Sequence, residues 1–259
     1  MCLILLAHGV HPRYRLIVAA NRDEFYDRPT AVADWWPDRP GVLAGRDLRS
    51  SGTWMGVTVS GRFAAITNYR EPGAQRADVP SRGSLVVDAL TRTGATTDRL
   101  GQILRTGDAY NGFSLVVGDR DGVWVGSNRS DAPPHRVGDG VFGLSNHLFG
   151  TPWPKVVAGR RALTDALELE GDELVTALLA ILDSRDRPDD DRLPDTGVGI
   201  ELERVLAPVF ITSPLYGTRA SYVVLFSHDG EVVFVEQVFE HGEPAGGPRR
   251  FAFRVQDPL

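Results

Sequence analysis

The chain has 259 residues, enough for one large domain or two small ones with a substantial core. Apolar residues make up 42% and charged residues 24%, an ordinary globular balance, and a formal net charge of −6 argues against broad nucleic-acid binding. The single cysteine, Cys2, excludes an internal disulfide and a zinc site of several cysteines.

The opening run Met1-Cys2-Leu3-Ile4-Leu5-Leu6-Ala7-His8 lacks a basic n-region and is too short for a signal peptide or membrane span, so a cytoplasmic protein is expected. Leu3 to Ala7 and Tyr14 to Ala20 read as strands joined by a loop around His11 and Pro12. Thr53 to Val59 and Arg62 to Thr67 flank a tight turn at Ser60-Gly61. Ser84 to Thr93 follows helical spacing, with Leu85, Val86, Ala89 and Leu90 on one face. Phe113 to Val117 and Val123 to Val125 form a further hairpin. Helices are expected from Trp153 to Leu169 and from Asp172 to Leu182, and Ser184 to Gly199 reads as an exposed loop. Its Asp189-Asp190-Asp191 run lacks the spaced ligands of a calcium loop. Val209 to Thr212, Ser221 to Ser227, Glu231 to Phe239 and Phe251 to Val255 read as closing strands.

Strands, then helices, then strands again predict an α+β fold of stacked antiparallel sheets covered by helices. No internal repeat or linker divides the chain, which reads as a single domain over 1–259. No GxGxxG or Walker loop points to a nucleotide, and no cofactor is implied.

Loss of Met1 would leave Cys2 with a thiol and a free α-amine a few ångströms apart. The amine titrates near ~7.7–8.0 and is partly neutral at physiological pH. The thiol, near ~8.5, is intrinsically very nucleophilic. Together they make a nucleophile and its base; the bland alternative is a small apolar residue opening a strand.

If the first loop centres near His11 and Pro12, paired residue numbers sum to about 23, which sets Asn21 beside Cys2 within ~5 Å. The polar run Asn21-Arg22-Asp23-Glu24 then emerges at the same end as the N-terminus. A carboxylate there can hold an α-ammonium, and a guanidinium there favours thiolate. Asn68 and Asn146 each end an apolar strand, where an asparagine either donates to an oxyanion or starts a turn. Arg219 precedes an apolar strand.

Asn21-Arg22-Asp23-Glu24 after Met1-Cys2 resembles the NRDE family, also called the transport and Golgi organisation protein 2 family. Supporting motifs follow in order: Ala44-Gly45-Arg46-Asp47, Gly52-Thr53-Trp54-Met55-Gly56-Val57, Thr67-Asn68-Tyr69-Arg70, Ser81-Arg82-Gly83, Tyr110-Asn111-Gly112-Phe113, Gly143-Leu144-Ser145-Asn146 and Thr218-Arg219. The family usually shows a glycine pair before Thr-Trp; here Ser51 takes the first place.

More distantly, the arrangement is similar to the N-terminal-nucleophile (Ntn) hydrolases of the penicillin V acylase and bile salt hydrolase type. That resemblance implies a four-layer αββα sandwich and an amidohydrolase or acyltransferase site: Cys2 as nucleophile, Asp23 and Asn146 orienting the α-amine, Asn68 stabilising an oxyanion, Arg219 tuning charge. Asn21, Arg22, Trp54 and Tyr69 are expected on the substrate side. The acylases carry an arginine immediately before their Asn-x-Asp segment, where this chain has Ala20, and Arg22 is expected to start from the opposite strand face.

The expected partner is a small-molecule amide, acyl or haem ligand. The family resemblance also admits a non-catalytic protein handling lipid, acyl-CoA or haem, with Trp35, Trp36 and Trp54 either lining a cavity or packing a core and His8, His11 or His147 as haem ligands. A metal hydrolase built on His8, His11, Asp23 and Glu24 lacks any known ligand spacing.

Overall fold

The computed structural model describes residues 2–256. Fourteen strands run in chain order as β1 Cys2–His8, β2 Tyr14–Phe25, β3 Thr30–Trp35, β4 Val42–Asp47, β5 Met55–Thr58, β6 Phe63–Asn68, β7 Phe113–Asp119, β8 Gly122–Ser127, β9 His135–Arg136, β10 Gly140–Leu144, β11 Tyr216–Ser227, β12 Glu231–Glu240, β13 Glu243–Pro244 and β14 Arg249–Arg254. The α-helices are α1 Gly83–Thr91, α2 Thr96–Arg105, α3 Pro154–Asp165, α4 Gly171–Leu182 and α5 Ile200–Leu206.

Two antiparallel sheets result. One has the order β10-β1-β2-β11-β12-β13, with β14 also paired to β12; the other runs β3-β4-β5-β6-β7-β8-β9. Strand alternation divides the apolar residues among three buried layers. Ile4, Leu6, Val18 and Val224 of the first sheet meet Leu43, Val57, Phe63 and Val116 of the second between the sheets. Leu3, Leu5, Ile17 and Ala19 turn the other way, onto Val156, Leu163, Leu174 and Leu178 of α3 and α4. Ala64, Ile66 and Leu115 face Leu85, Leu90, Leu100 and Ile103 of α1 and α2. Each fully buried aliphatic or phenyl side chain contributes ~1.5–3 kcal/mol, so every layer is held by its own apolar seam. The outcome is the expected αββα sandwich.

The differences from the sequence reading are local. The Asn21–Glu24 run continues strand β2 instead of leaving it, because Asn21, Arg22 and Asp23 are buried at 1%, 4% and 2% exposure. Val209 to Thr212 is not a strand: Thr212 makes one bridge to Gly217, and the Ile211 N–H donates to Thr218 Oγ1 instead of entering a ladder. The Trp153–Leu169 helix is α3, opened by Pro154 in its first turn and followed by a 3-10 turn at Ala166–Glu168. Strands β3 and β4 and helix α2 were not expected. Among the described residues no helix is long and apolar enough to cross a membrane.

The β1–β2 register sets the site. Cys2 pairs with Arg22 and Leu3 with Asn21, so partner numbers sum to 24 and not 23. That single step moves Asn21 to the other face. Cys2, Ile4 and Leu6 then share the inter-sheet face with Arg22, Ala20 and Val18. Arg22 and Ala20 lie two residues apart and therefore on one face, which overturns the expectation that Arg22 starts from the opposite one.

Candidate functional site

Cys2 is half-buried and opens into a pocket of about 120 Å³ at the end of the sheets. Asn68, Thr53 and Trp54 line it from the second sheet, and Ser81, Arg82 and Gly83 bring the start of α1 to its rim. Charged side chains complete it: Arg22, Asp23 and Glu24 from β2, Arg28 from the following loop, and Asp47 from β4.

Two glycine contacts build this rim. A Cβ on Gly52 would lie 2.6 Å from the Gly83 carbonyl carbon, so the backbone before β5 and the first turn of α1 cross at a distance only glycine permits. The Thr53 N–H donates to the Gly83 carbonyl at 3.3 Å across that crossing. A Cβ on Gly45 would meet the Trp54 ring at 2.7 Å, so glycine on β4 leaves room for the indole. The Arg22 guanidinium stacks on that indole, 4.0 Å from the ring centroid, which fixes it beside the sulfur.

The pocket is dense in charge. Arg28 is held by Asp47, with Nη2 to Oδ2 at 2.6 Å, and stands 3.8 Å from Glu24. Asp47 Oδ1 also accepts the Arg49 and Ser50 N–H groups, which shapes the loop leading to Gly52. Arg22 lies 3.9 Å from Glu24, and its buried Nη1 has no hydrogen-bond partner among the described residues. Arg82 donates to the Gly112 carbonyl at 2.8 Å. Burial pushes the Cys2 thiol above its ordinary value, and the Asp23 charge adds to the rise; the Asp23 N–H and Arg22 oppose it. Such a thiol stays protonated near neutral pH and needs a base to remove its proton.

Asp23 accepts the Thr218 hydroxyl on Oδ1 at 2.7 Å, and its carbonyl accepts Tyr216 Oη at 3.0 Å. Burial pushes its carboxyl above the ordinary range, and the Lys155 cation is the strongest influence pulling it back. Asn68 ends β6 at the pocket wall, and its side-chain amide has no hydrogen bond among the described residues. Asn146 is fully buried behind it. Its Nδ2 donates to the Asn68 carbonyl at 3.1 Å, while Ser145 Oγ stands 3.2 Å from both Asn146 Oδ1 and the Cys2 carbonyl. Asn146 therefore braces the backbone of Asn68, and the one Ser145 hydroxyl proton goes either to Asn146 Oδ1 or to the Cys2 carbonyl. The role given to Asn146 beside the α-amine falls partly on Met1, outside the described residues.

Three expected residues stand elsewhere. Asn21 faces the helical layer, donating Nδ2 to the Leu182 and Val209 carbonyls at 2.8 and 2.9 Å and accepting Ser221 Oγ at 2.6 Å. It ties β2 to α4, as the one-residue register step requires. Tyr69 points away from the pocket and hydrogen-bonds His147 Nε2 at 2.7 Å. Arg219 sits on a bulge in β11 and donates Nη1 toward the Phe25, Tyr26 and Arg28 carbonyls at 3.0 to 3.4 Å. It clamps the end of β2 and does not line the Cys2 pocket; Arg22, Arg28 and Arg82 supply the positive charge there.

The tryptophans divide: Trp36 packs in the core with Nε1 on the Ala44 carbonyl at 2.9 Å, Trp35 lies at the surface against Phe253, and only Trp54 reaches the pocket. His8 and His11 lie at or beyond the far end of β1, roughly 20 Å along the strand from Cys2. His147 spends both ring nitrogens, on Tyr69 and Thr151. Sequence reasoning missed Arg28, Asp47 and Arg82 as pocket residues, although the last two sit inside recognised motifs.

Comparison with known proteins bears on the fold and the family. The chain resembles the Transport and Golgi organization protein 2 homolog of Bos taurus at 36% identity, covering 94% of this chain and 95% of that protein. The Homo sapiens homolog is 35% identical, with 92% of each chain covered. Among solved structures, the Caenorhabditis elegans N-acylethanolamine-hydrolyzing acid amidase ortholog is similar with a TM-score of 0.51 at 12% identity, covering 86% of this chain and 92% of that one. At that identity the likeness concerns architecture, and it agrees with the αββα sandwich of the Ntn hydrolases. The family model described as Transport and Golgi organisation 2 matches residues 1–241. With the motif order, the strand-borne Asn21–Glu24 run and nearly the whole length in agreement, this chain belongs to the Transport and Golgi organisation 2 family.

Proposed function

We propose that this chain is an N-terminal-cysteine amidohydrolase or acyltransferase acting on a linear amide or related acyl substrate. The observation that carries the reading is that Cys2 and Asn68 line one polar pocket together. Removal of Met1 frees the Cys2 α-amine. The sulfur attacks the carbonyl carbon while that amine takes the thiol proton. Asn68 Nδ2 donates to the oxyanion. The carbon–nitrogen bond then breaks, and the α-ammonium returns the proton to the departing amine. Water, or a second amine, attacks the thioester and releases the acyl group. Asp23 holds and orients the α-amine through the cycle, and Arg22 and Arg82 favour the negative charge on sulfur. Cytoplasmic reducing conditions would keep the thiol free.

The substrate class is drawn from the structural neighbour, whose name describes hydrolysis of N-acylethanolamines. An open groove of about 540 Å³ runs along the same 23–28 segment, lined by Phe25, Tyr26, Leu215 and His241. Phe25 and Leu215 are 54% and 74% exposed there, and an acyl chain leaving the pocket would cover them. That groove also favours a second reading, a non-catalytic carrier of lipid, acyl-CoA or haem on the same fold. Intact mass spectrometry before and after incubation with a panel of N-acyl amides separates the two. The enzyme reading expects a chain lacking Met1 that gains one acyl mass on wild type and none on Cys2→Ala. Retention of Met1, or acylation that persists in Cys2→Ala, overturns it. A saturable ligand titration without turnover supports the carrier.

A further inference from the structure

Arg22 is only 4% exposed on β2, and a guanidinium so deeply buried is ordinarily paired. Here the Glu24 carboxylate stands 3.9 Å from Nη2, beyond hydrogen-bond length, and Nη1 has no partner among the described residues. Two more buried donors are equally unspent. One is Arg219 Nε; the other is Trp54 Nε1, which stands near Tyr222 Oη without a hydrogen bond to it. An unsatisfied buried donor is costly, and more so on a charged group.

The three side chains line one cavity of about 30 Å³ between the sheets. Strands β2 and β11 bring Arg22 and Arg219, the residue before β5 brings Trp54, and Tyr222 and Glu236 close the wall. A water molecule needs ~10–15 Å³ of such space, so the cavity admits one or two particles of atomic size and excludes a phosphate or an acyl group. Charge favours an anion there. The wall carries two guanidiniums against one carboxyl, Glu236, whose oxygens are already engaged by the Ala33 N–H and the Tyr222 hydroxyl. Arg219 Nη1 is spent on the backbone carbonyls of Phe25, Tyr26 and Arg28. Burial first, then the like charge of Arg22, pulls the Arg219 guanidinium below its ordinary value. A water would take up hydrogen bonds and leave the two cations opposed; an anion answers both.

We propose that this cavity is a binding site for one small monovalent anion of the halide class, held by Arg22, Arg219 and the Trp54 N–H. A spherical ion accepts donors from any direction, which suits two guanidiniums and an indole arriving from two sheets. Arg22 and Trp54 also line the Cys2 pocket, so their stack is a partition with the sulfur on one side and the anion on the other. The site stands whether or not the hydrolase reading holds.

Chloride is the probe. Full-length protein in gluconate buffer at fixed ionic strength is titrated with chloride and followed by 35Cl NMR line broadening. Saturable broadening in the millimolar range, displaced by bromide, is expected. Crystals grown in bromide should show an anomalous peak among Arg22, Trp54 and Arg219. Trp54→Phe keeps an aromatic ring under Arg22 and removes the N–H; it should weaken chloride binding roughly tenfold or more. Arg219→Gln should do the same, and Glu236→Gln should tighten binding several-fold because an opposing charge is gone. Circular dichroism checks that each variant is folded. Broadening that never saturates, or a cavity peak without anomalous signal (a bound water), overturns the proposal. Affinity unchanged in both Trp54→Phe and Arg219→Gln, the mark of a surface arginine site, overturns it as well.

Discussion

Gly52→Ala tests how the fold builds the pocket rim. The added methyl would stand 2.6 Å from the Gly83 carbonyl carbon, 2.8 Å from its oxygen and 3.0 Å from its Cα. Ordinary contact begins near 3.4 Å, so the two backbones must part by about 0.8 Å. Neither side is a flexible side-chain tip that can swing away. Overpacking of this kind costs about 1–3 kcal/mol. For a chain of this size that lowers Tm by ~2–12 °C. The displacement also stretches the Thr53–Gly83 hydrogen bond and moves Arg82, the residue before α1, away from the sulfur. Differential scanning fluorimetry reads the first effect, and the pH profile of Cys2 alkylation by iodoacetamide reads the second. The alkylation midpoint should move up, because a cation that favours thiolate has retreated. Gly101→Ala is the matched control: in α2 its Cβ would meet only Arg105 Nη1 at 3.9 Å, and a mid-helix glycine replaced by alanine gains ~0.5–1 kcal/mol. Equal Tm values for Gly52→Ala and wild type, with superimposable alkylation profiles, would refute the claim that this crossing sets the rim.

Three further outcomes follow from particular residues. Asn68→Ala should lower kcat for amide hydrolysis by roughly 10²–10³, about 3–4 kcal/mol of barrier, while Tm stays within a degree because its amide holds nothing in the resting protein; a large Tm loss with unchanged kcat would reverse the assignment. Ser51 sits at φ 58°, in the left-handed region that favours glycine. Ser51→Gly should gain about 0.5–1 kcal/mol in denaturant unfolding, the steric relief exceeding the extra chain entropy of glycine. Glu236 is buried between the sheets, accepting the Ala33 N–H and the Tyr222 hydroxyl, each at 2.6 Å. Burial raises its carboxyl above the ordinary 4.5, so the folded state binds the proton more tightly than the unfolded chain. The associated stability is therefore full below about 4.5 and is lost as pH rises through the raised value. Wild type should lose stability relative to Glu236→Gln over that interval in urea melts, and a difference flat with pH would contradict the reading.

The layered fold was readable because each layer leaves a period in the sequence. Leu3, Leu5 and Ala7 alternate with Ile4 and Leu6, and both sets are apolar because β1 is covered on both faces. Strands β3 and β4 left weaker periods: β3 is an edge strand in which only Ala33 is buried, and the end of β4 carries the charged Arg46 and Asp47. The motif order identified the family, yet the placement of Asn21 and Arg219 outside the pocket lining depends on geometry that the sequence does not display. A one-residue step in hairpin register, invisible in a polar loop of several residues, sends Asn21 to the helices. A bulge at Arg219 aims that side chain along the end of β2 and not at the sulfur. Arg28 left no local pattern at all, because the residue that holds it at the pocket, Asp47, lies on another strand.

The strand bearing Cys2 is flanked on both sides, by β2 and by β10, and β2 is closed in turn by β11, which begins at Tyr216. During synthesis at roughly 5–20 residues per second, about 10–40 s pass before the ribosome has made Tyr216. Until then β2 lacks its outer neighbour and the sheet around Cys2 is incomplete, which leaves the nascent leading end accessible to a processing peptidase. The methionine trimming that the proposed hydrolase requires would thus fall to the growing polypeptide, ahead of the long-range closure around the cysteine.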